Sequence, residues 1–205
     1  LRDTIEAKQR LLDTQRELRR ELEHRVRNNL AGLLGLIQIY EQSGRDSAAL
    51  ADALRGKVGA MLQVHQLMSP APNMPVPLRA LIESLAAGMP YDGVASLALH
   101  GPAVDVRARQ AGALAMILQE LFTNSAKHGA LGRRGGRIRI EWNSRTEDDG
   151  GAALELHWAE TAPPPSRPPG PESIGMQLIR GFARSELGGE CAFDFRPEGL
   201  CFSLH

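Results

Sequence analysis

The sequence predicts a helical hairpin, the half of a four-helix bundle, followed by a separate α+β sandwich. Three observations carry that expectation. Apolar residues recur at helical spacing through residues 2–41 and again through 47–68, with only a polar turn between. Four prolines fall within residues 69–77, where no helix can continue. Beyond them, short alternating strands are interspersed with helical segments. A helical part over 1–72 and a sandwich over 73–205 follow from that boundary.

In the first helix Leu11, Leu18, Leu22, Val26, Leu30, Leu33 and Ile37 step by three, four and seven, which gives one buried seam on an otherwise charged rod. Residues 43–47, Ser-Gly-Arg-Asp-Ser, read as a turn with Asp46 or Ser47 as N-cap. A second amphipathic helix then runs through Leu50, Leu54, Val58, Met61, His65 and Met68. Two such helices form an antiparallel hairpin that a second copy completes as a four-helix bundle.

The sandwich is read as a helix over 78–87, a strand over 94–100, a long helix over 108–129 and strands over 136–142 and 153–158. A proline-rich loop over 161–171 and a helix over 174–187, stopped by Gly188-Gly189, come next. A hairpin of 191–195 and 200–204 closes the chain. Helices on one face of a mixed sheet are the expected layering.

Composition narrows the function. The chain has 205 residues with zero formal net charge, which argues against a general nucleic-acid or anionic-membrane binder. No apolar run approaches the roughly 20 residues that span a bilayer, and no signal peptide opens the chain. A cytoplasmic protein is expected. Cys191 and Cys201 have strand-like flanks, and two buried core thiols are favoured over a disulfide.

The segment Glu21-Leu22-Glu23-His24-Arg25-Val26-Arg27-Asn28-Asn29-Leu30 is the most informative. His24 lies two residues from both Leu22 and Val26, about 200° around the helix from the seam at about 100° per residue, so it points to solvent. Its neighbours one turn away are Arg20, Glu21, Arg27 and Asn28, all polar. A surface histidine on a charged helix is one reading. The other is a nucleophile, since a neutral imidazole nitrogen can attack phosphorus. Asn28 could hydrogen-bond the ring or a water. His-Arg-Val-Arg-Asn-Asn-Leu resembles the phosphoacceptor box of the HWE and HisKA_2 groups of bacterial histidine kinases, where a basic residue also follows the histidine. The resemblance implies that His24 is the phosphoacceptor.

On the long helix Glu120, Asn124 and His128 are spaced by four and share a face, with Lys127 beside them. Leu114, Leu118, Leu121, Phe122 and Ser125 lie towards the other side. A solvated polar face is the plain reading. An Asn oxygen near a carboxylate also suits Mg²⁺, and Lys and His suit phosphate oxygens. Glu-x-x-x-Asn-x-x-Lys-His resembles the N-box of the GHKL (Bergerat-type) ATPases. That likeness implies an ATP-binding sandwich with Asn124 as magnesium ligand, Lys127 and His128 on phosphate, and Glu120 as an acid assisting metal or water. Gln119 stands where the HWE group usually has histidine.

Trp158-Ala159-Glu160 is similar to the Trp-x-Glu of the HWE group, which implies that Glu160 accepts from the adenine amino group; Trp158 by itself reads as core. Thr161-Ala162-Pro163 replaces the family's glycine pair, and Ser173-Ile174-Gly175 keeps one glycine of its later phosphate loop. Free N–H groups at the helix start after Gly175 could hold phosphate. The resemblance, over about residues 21–204, implies a sensor kinase core. It would use ATP and Mg²⁺ to phosphorylate His24 and pass the phosphoryl group to a response-regulator receiver aspartate. A homodimer is expected, with a monomer as the alternative, and an upstream sensor module outside this sequence. The rival expectation is a phosphotransfer scaffold that no longer binds ATP.

Overall fold

The computed structural model describes residues 15–16, 19, 33–35, 37, 47–68, 75–89, 95–146, 152–162 and 174–205. By its contacts the chain divides into Leu1–Leu54 and Arg55–His205. Helix α1 (Ser47–Met68) supplies residues to both units, and its half from Arg55 onward belongs with the sandwich. In α1 Leu50, Leu54 and Met61 are half-buried, whereas Val58 is 44 % exposed.

Strand β1 (Val76–Pro77) leads straight into helix α2 (Leu78–Ala87). No side chain caps α2; its first N–H, of Leu78, donates to the Val104 carbonyl at 2.9 Å. Strand β2 (Ser96–His100) follows, then β3 (Asp105–Val106), which pairs antiparallel with β1 in a two-stranded sheet. Two residues per strand carry no readable alternation, so this small sheet has no sequence signature. Helix α3 (Ala108–His128) is next, then β4 (Arg137–Thr146) and β5 (Ala152–Thr161). Helix α4 (Ile174–Phe182) passes into a π-helical turn over Ala183–Leu187, and β6 (Cys191–Arg196) and β7 (Gly199–Leu204) end the chain.

The main sheet has the order β2-β4-β5-β7-β6, parallel between β2 and β4 and antiparallel elsewhere. β4 is the clearest case of pattern setting face: Ile138, Ile140 and Trp142 are buried, and Arg137, Arg139, Glu141 and Asn143 are exposed. In register beside them stand Glu160, Trp158 and Leu156 of β5, and then Phe202 and Leu204 of β7. Leu81, Ile82 and Leu85 of α2, Leu114, Leu118, Leu121 and Phe122 of α3, and Ile179 of α4 complete one core on that face. The helices therefore cover one side of a mixed sheet. α3 lies between α2 and α4 and is buried nearly all round over residues 113–119.

The end of the long helical segment departs from the expected plain α-helix. The Ser185 hydroxyl donates to the Gly181 carbonyl at 2.7 Å and competes for the acceptor an α-turn would use. The turn widens, and Gly188 stops it with φ 69°, where a side chain would be strained. Cys191 and Cys201 are free and half-buried rather than core residues. Cys191 stands opposite Leu204 and Cys201 opposite Asp194, so the β6–β7 register holds them apart.

Candidate functional site

Glu120 and Asn124 sit on the side of α3 that meets the start of α4. A Cβ at Gly175 would come 2.9 Å from Glu120 Oε2, 3.4 Å from Asn124 Nδ2 and 3.8 Å from Asn124 Oδ1. A side chain at this position would press on the ends of both groups, and glycine leaves that space open. The fold thus brings together Glu120, Asn124 and Gly175 from segments about fifty residues apart. Lys127 and His128 are exposed in the last turn of α3, where a cation is favoured by the helix dipole in any case. Burial pushes the Glu120 carboxyl above its ordinary range, while the charges of Lys127 and Lys57 pull it back.

Lys57 was not singled out from sequence, and it is the site's unexpected member. It reaches in from α1, is 1 % exposed, and its Nζ has no hydrogen-bond partner among the described residues. The ammonium stands 4.5 Å from the centroid of the Phe182 ring and within electrostatic reach of Glu120. Burial lowers its pKa to about 8, against the raising effect of Glu120. A signal existed: Leu50, Leu54, Lys57, Met61, Val64 and Met68 follow alternating steps of four and three, with the lysine at a seam position.

Glu160 is 5 % exposed and belongs to a hydrogen-bonded cluster one turn further along α3. Oε2 accepts from the Ala130 N–H at 2.8 Å and Oε1 from the Trp158 indole N–H at 3.0 Å. Ser125 also hydrogen-bonds the carboxylate, and its Oγ accepts from the Leu131 N–H at 3.1 Å. Burial raises the Glu160 carboxyl, and the bonds from Ala130, Trp158 and Ser125 lower it. Gly129 is required here, because a Cβ would run into Glu160 Oε2. A carboxylate has roughly four lone-pair sites, so one acceptor position remains beyond these three. Trp158 is core, edge-on to Phe122 at 4.9 Å, and it also orients Glu160. The supporting roles of Ser125, Gly129 and Ala130 depend on contacts across thirty residues and had no sequence signal.

The donor set fits a magnesium nucleotide. Among the described residues no group of three His, Cys, Asp or Glu stands ready to hold a metal alone. An Asn amide oxygen beside a carboxylate suits Mg²⁺ that arrives with phosphates and keeps its waters. Gly175 leaves the space, and the Lys57 ammonium lacks a partner that an anion would supply. His24 and Asn28 lie outside the described residues, as does the stretch 163–173 that contains most of the expected lid. Among the described residues no helix is long and apolar enough to cross a membrane.

Residues 21–103 match the family model described as HWE histidine kinase. Blue-light-activated histidine kinase 1 of Erythrobacter litoralis is 32 % identical over 203 residues, which is 96 % of this chain and 54 % of that protein. The blue-light-activated histidine kinase of Rhizobium johnstonii is 26 % identical over 184 residues, 90 % of this chain and 51 % of that protein. The chain thus spans about half the length of these curated relatives. Among solved structures, the histidine kinase domain of the Erythrobacter litoralis EL346 blue-light-activated kinase superposes with a TM-score of 0.62 at 22 % identity, covering 90 % of each chain. That likeness establishes the fold.

Proposed function

Because the chain belongs to the HWE histidine kinase family, we propose that it is a kinase core that transfers the terminal phosphoryl group of MgATP to His24. The observation that carries this reading is the convergence of Gly175 on Glu120 and Asn124. In it a helix N-terminus, a metal-type amide oxygen and a half-buried carboxylate lie close together. In the transfer, a lone pair of the His24 imidazole forms the N–P bond as the bond from phosphorus to the bridging oxygen breaks and ADP leaves. Asn124 would hold magnesium, with Glu120 assisting metal or water. Lys127, His128 and the N–H groups after Gly175 would meet phosphate oxygens. Magnesium, when bound, neutralises charge on the phosphate oxygens. Glu160 would use its remaining acceptor position for the adenine amino group, and Asn28 would orient His24. A receiver-domain aspartate of a response regulator would accept the phosphoryl group from His24, with the hairpin acting in a homodimer.

Labelled ATP tests the reading on wild type, His24→Ala and Asn124→Ala. Wild type is expected to gain acid-labile label. His24→Ala should bind MgATP without gaining label, and Asn124→Ala should lose both. Label retained in His24→Ala refutes the phosphoacceptor. A folded wild type that binds no nucleotide replaces the kinase with the phosphotransfer scaffold.

A further inference from the structure

Among the described residues nothing accepts a hydrogen bond from the ammonium of Lys57. The residue is 1 % exposed, yet a buried cation loses its hydration and requires a partner. Two neighbours offset part of that cost, the π face of Phe182 and the charge of Glu120. Neither offers the ammonium an acceptor within hydrogen-bond range. A methionine of similar length would fill the same space beneath Phe182 without the charge. The lysine is thus in the position of a group kept for a ligand at some loss of stability.

The anion it would meet is indicated by its surroundings. Lys57 is within electrostatic reach of Glu120, and Glu120 is the residue that Gly175 closes on beside Asn124. It also comes from α1, the second helix of the predicted hairpin that would present the phosphoacceptor. At the site proposed above, the group that must pass from the sandwich to the hairpin is the terminal phosphoryl. We propose that Lys57 is a further nucleotide-binding residue, whose ammonium takes an oxygen of the terminal phosphate of ATP. This inference rests on the kinase reading. It adds to it that the hairpin helix contributes to nucleotide binding, and that ATP is told from ADP by a residue outside the N-box.

The experiment compares wild type and Lys57→Met by calorimetry with MgATP and with MgADP, alongside thermal melts without nucleotide. ATP affinity is expected to fall about tenfold to a hundredfold while ADP affinity holds, the loss of one charge-assisted hydrogen bond. The nucleotide-free variant is expected to melt about 2–4 °C higher, since an unpartnered charge has been removed. In ¹³C-lysine-labelled wild type, the Lys57 ε-methylene resonance is expected to move on adding MgATP and to stay in place with MgADP. This arm decides the matter should the variant fail to fold. ATP and ADP affinities that change together, or an ATP affinity that rises, overturn the assignment while leaving the kinase reading intact. A resonance indifferent to both nucleotides does the same. A folded wild type that binds neither nucleotide overturns both.

Discussion

Replacing Glu160 by Gln exchanges one carboxylate oxygen for an amide NH₂ at nearly constant volume. Both oxygens now accept from fixed donors, Ala130 N–H at 2.8 Å and the Trp158 indole N–H at 3.0 Å. Whichever way the amide turns, one buried donor faces another. A lost hydrogen bond to a charged acceptor and an orphaned N–H outweigh the relief of burying a neutral group, at about 1–3 kcal/mol net. For a chain of this length that lowers Tm by roughly 2–12 °C. Fluorescence melts read the effect directly, because Trp158 is one of only two tryptophans. The pH dependence sharpens the test. Burial raises the folded carboxyl above its ordinary 4.5, so the folded chain keeps a proton that the unfolded chain releases. The stabilisation linked to that proton is complete below about 4.5 and is lost as pH rises through the folded pKa. Gln carries no such proton, so the gap between wild type and Glu160→Gln should narrow as pH climbs above 4.5. A variant that melts at or above wild type at pH 7 refutes the bracing role.

Three further outcomes are expected. Gly175→Ala should fold normally but lose tenfold or more in MgATP affinity by calorimetry, because its Cβ would press on Glu120 and Asn124. Gly188→Ala has open space around it, so its cost is the left-handed backbone alone, about 1–2 kcal/mol in chemical denaturation with nucleotide affinity unchanged. Wild type should prefer ATP to GTP by about tenfold or more, since the carboxylate of Glu160 would face the guanine carbonyl; equal binding of the two would remove Glu160 as the base reader.

Sequence alone was sufficient wherever a local period or a short motif carries the information. The alternation in β4, the helix over Leu78–Ala87 and the α3 face of Glu120 and Asn124 are set by spacing along one element. The His24 box and the N-box are likewise local, and they sufficed to indicate the family. Tertiary structure decided what depends on segments far apart in the chain. The two-stranded β1–β3 sheet is too short to have a period, and its register exists only because residues 76 and 106 meet. The π turn before Gly188 comes from a side chain competing with the backbone, which spacing does not encode. Glu160 was legible as a carboxylate after a tryptophan; that Ala130, Ser125 and Trp158 occupy most of its acceptor sites was not. Lys57 shows the division most clearly. Its seam spacing was in the sequence, but a lysine at a seam position can turn its head to water, and only packing beneath Phe182 next to α3 decided that it does not.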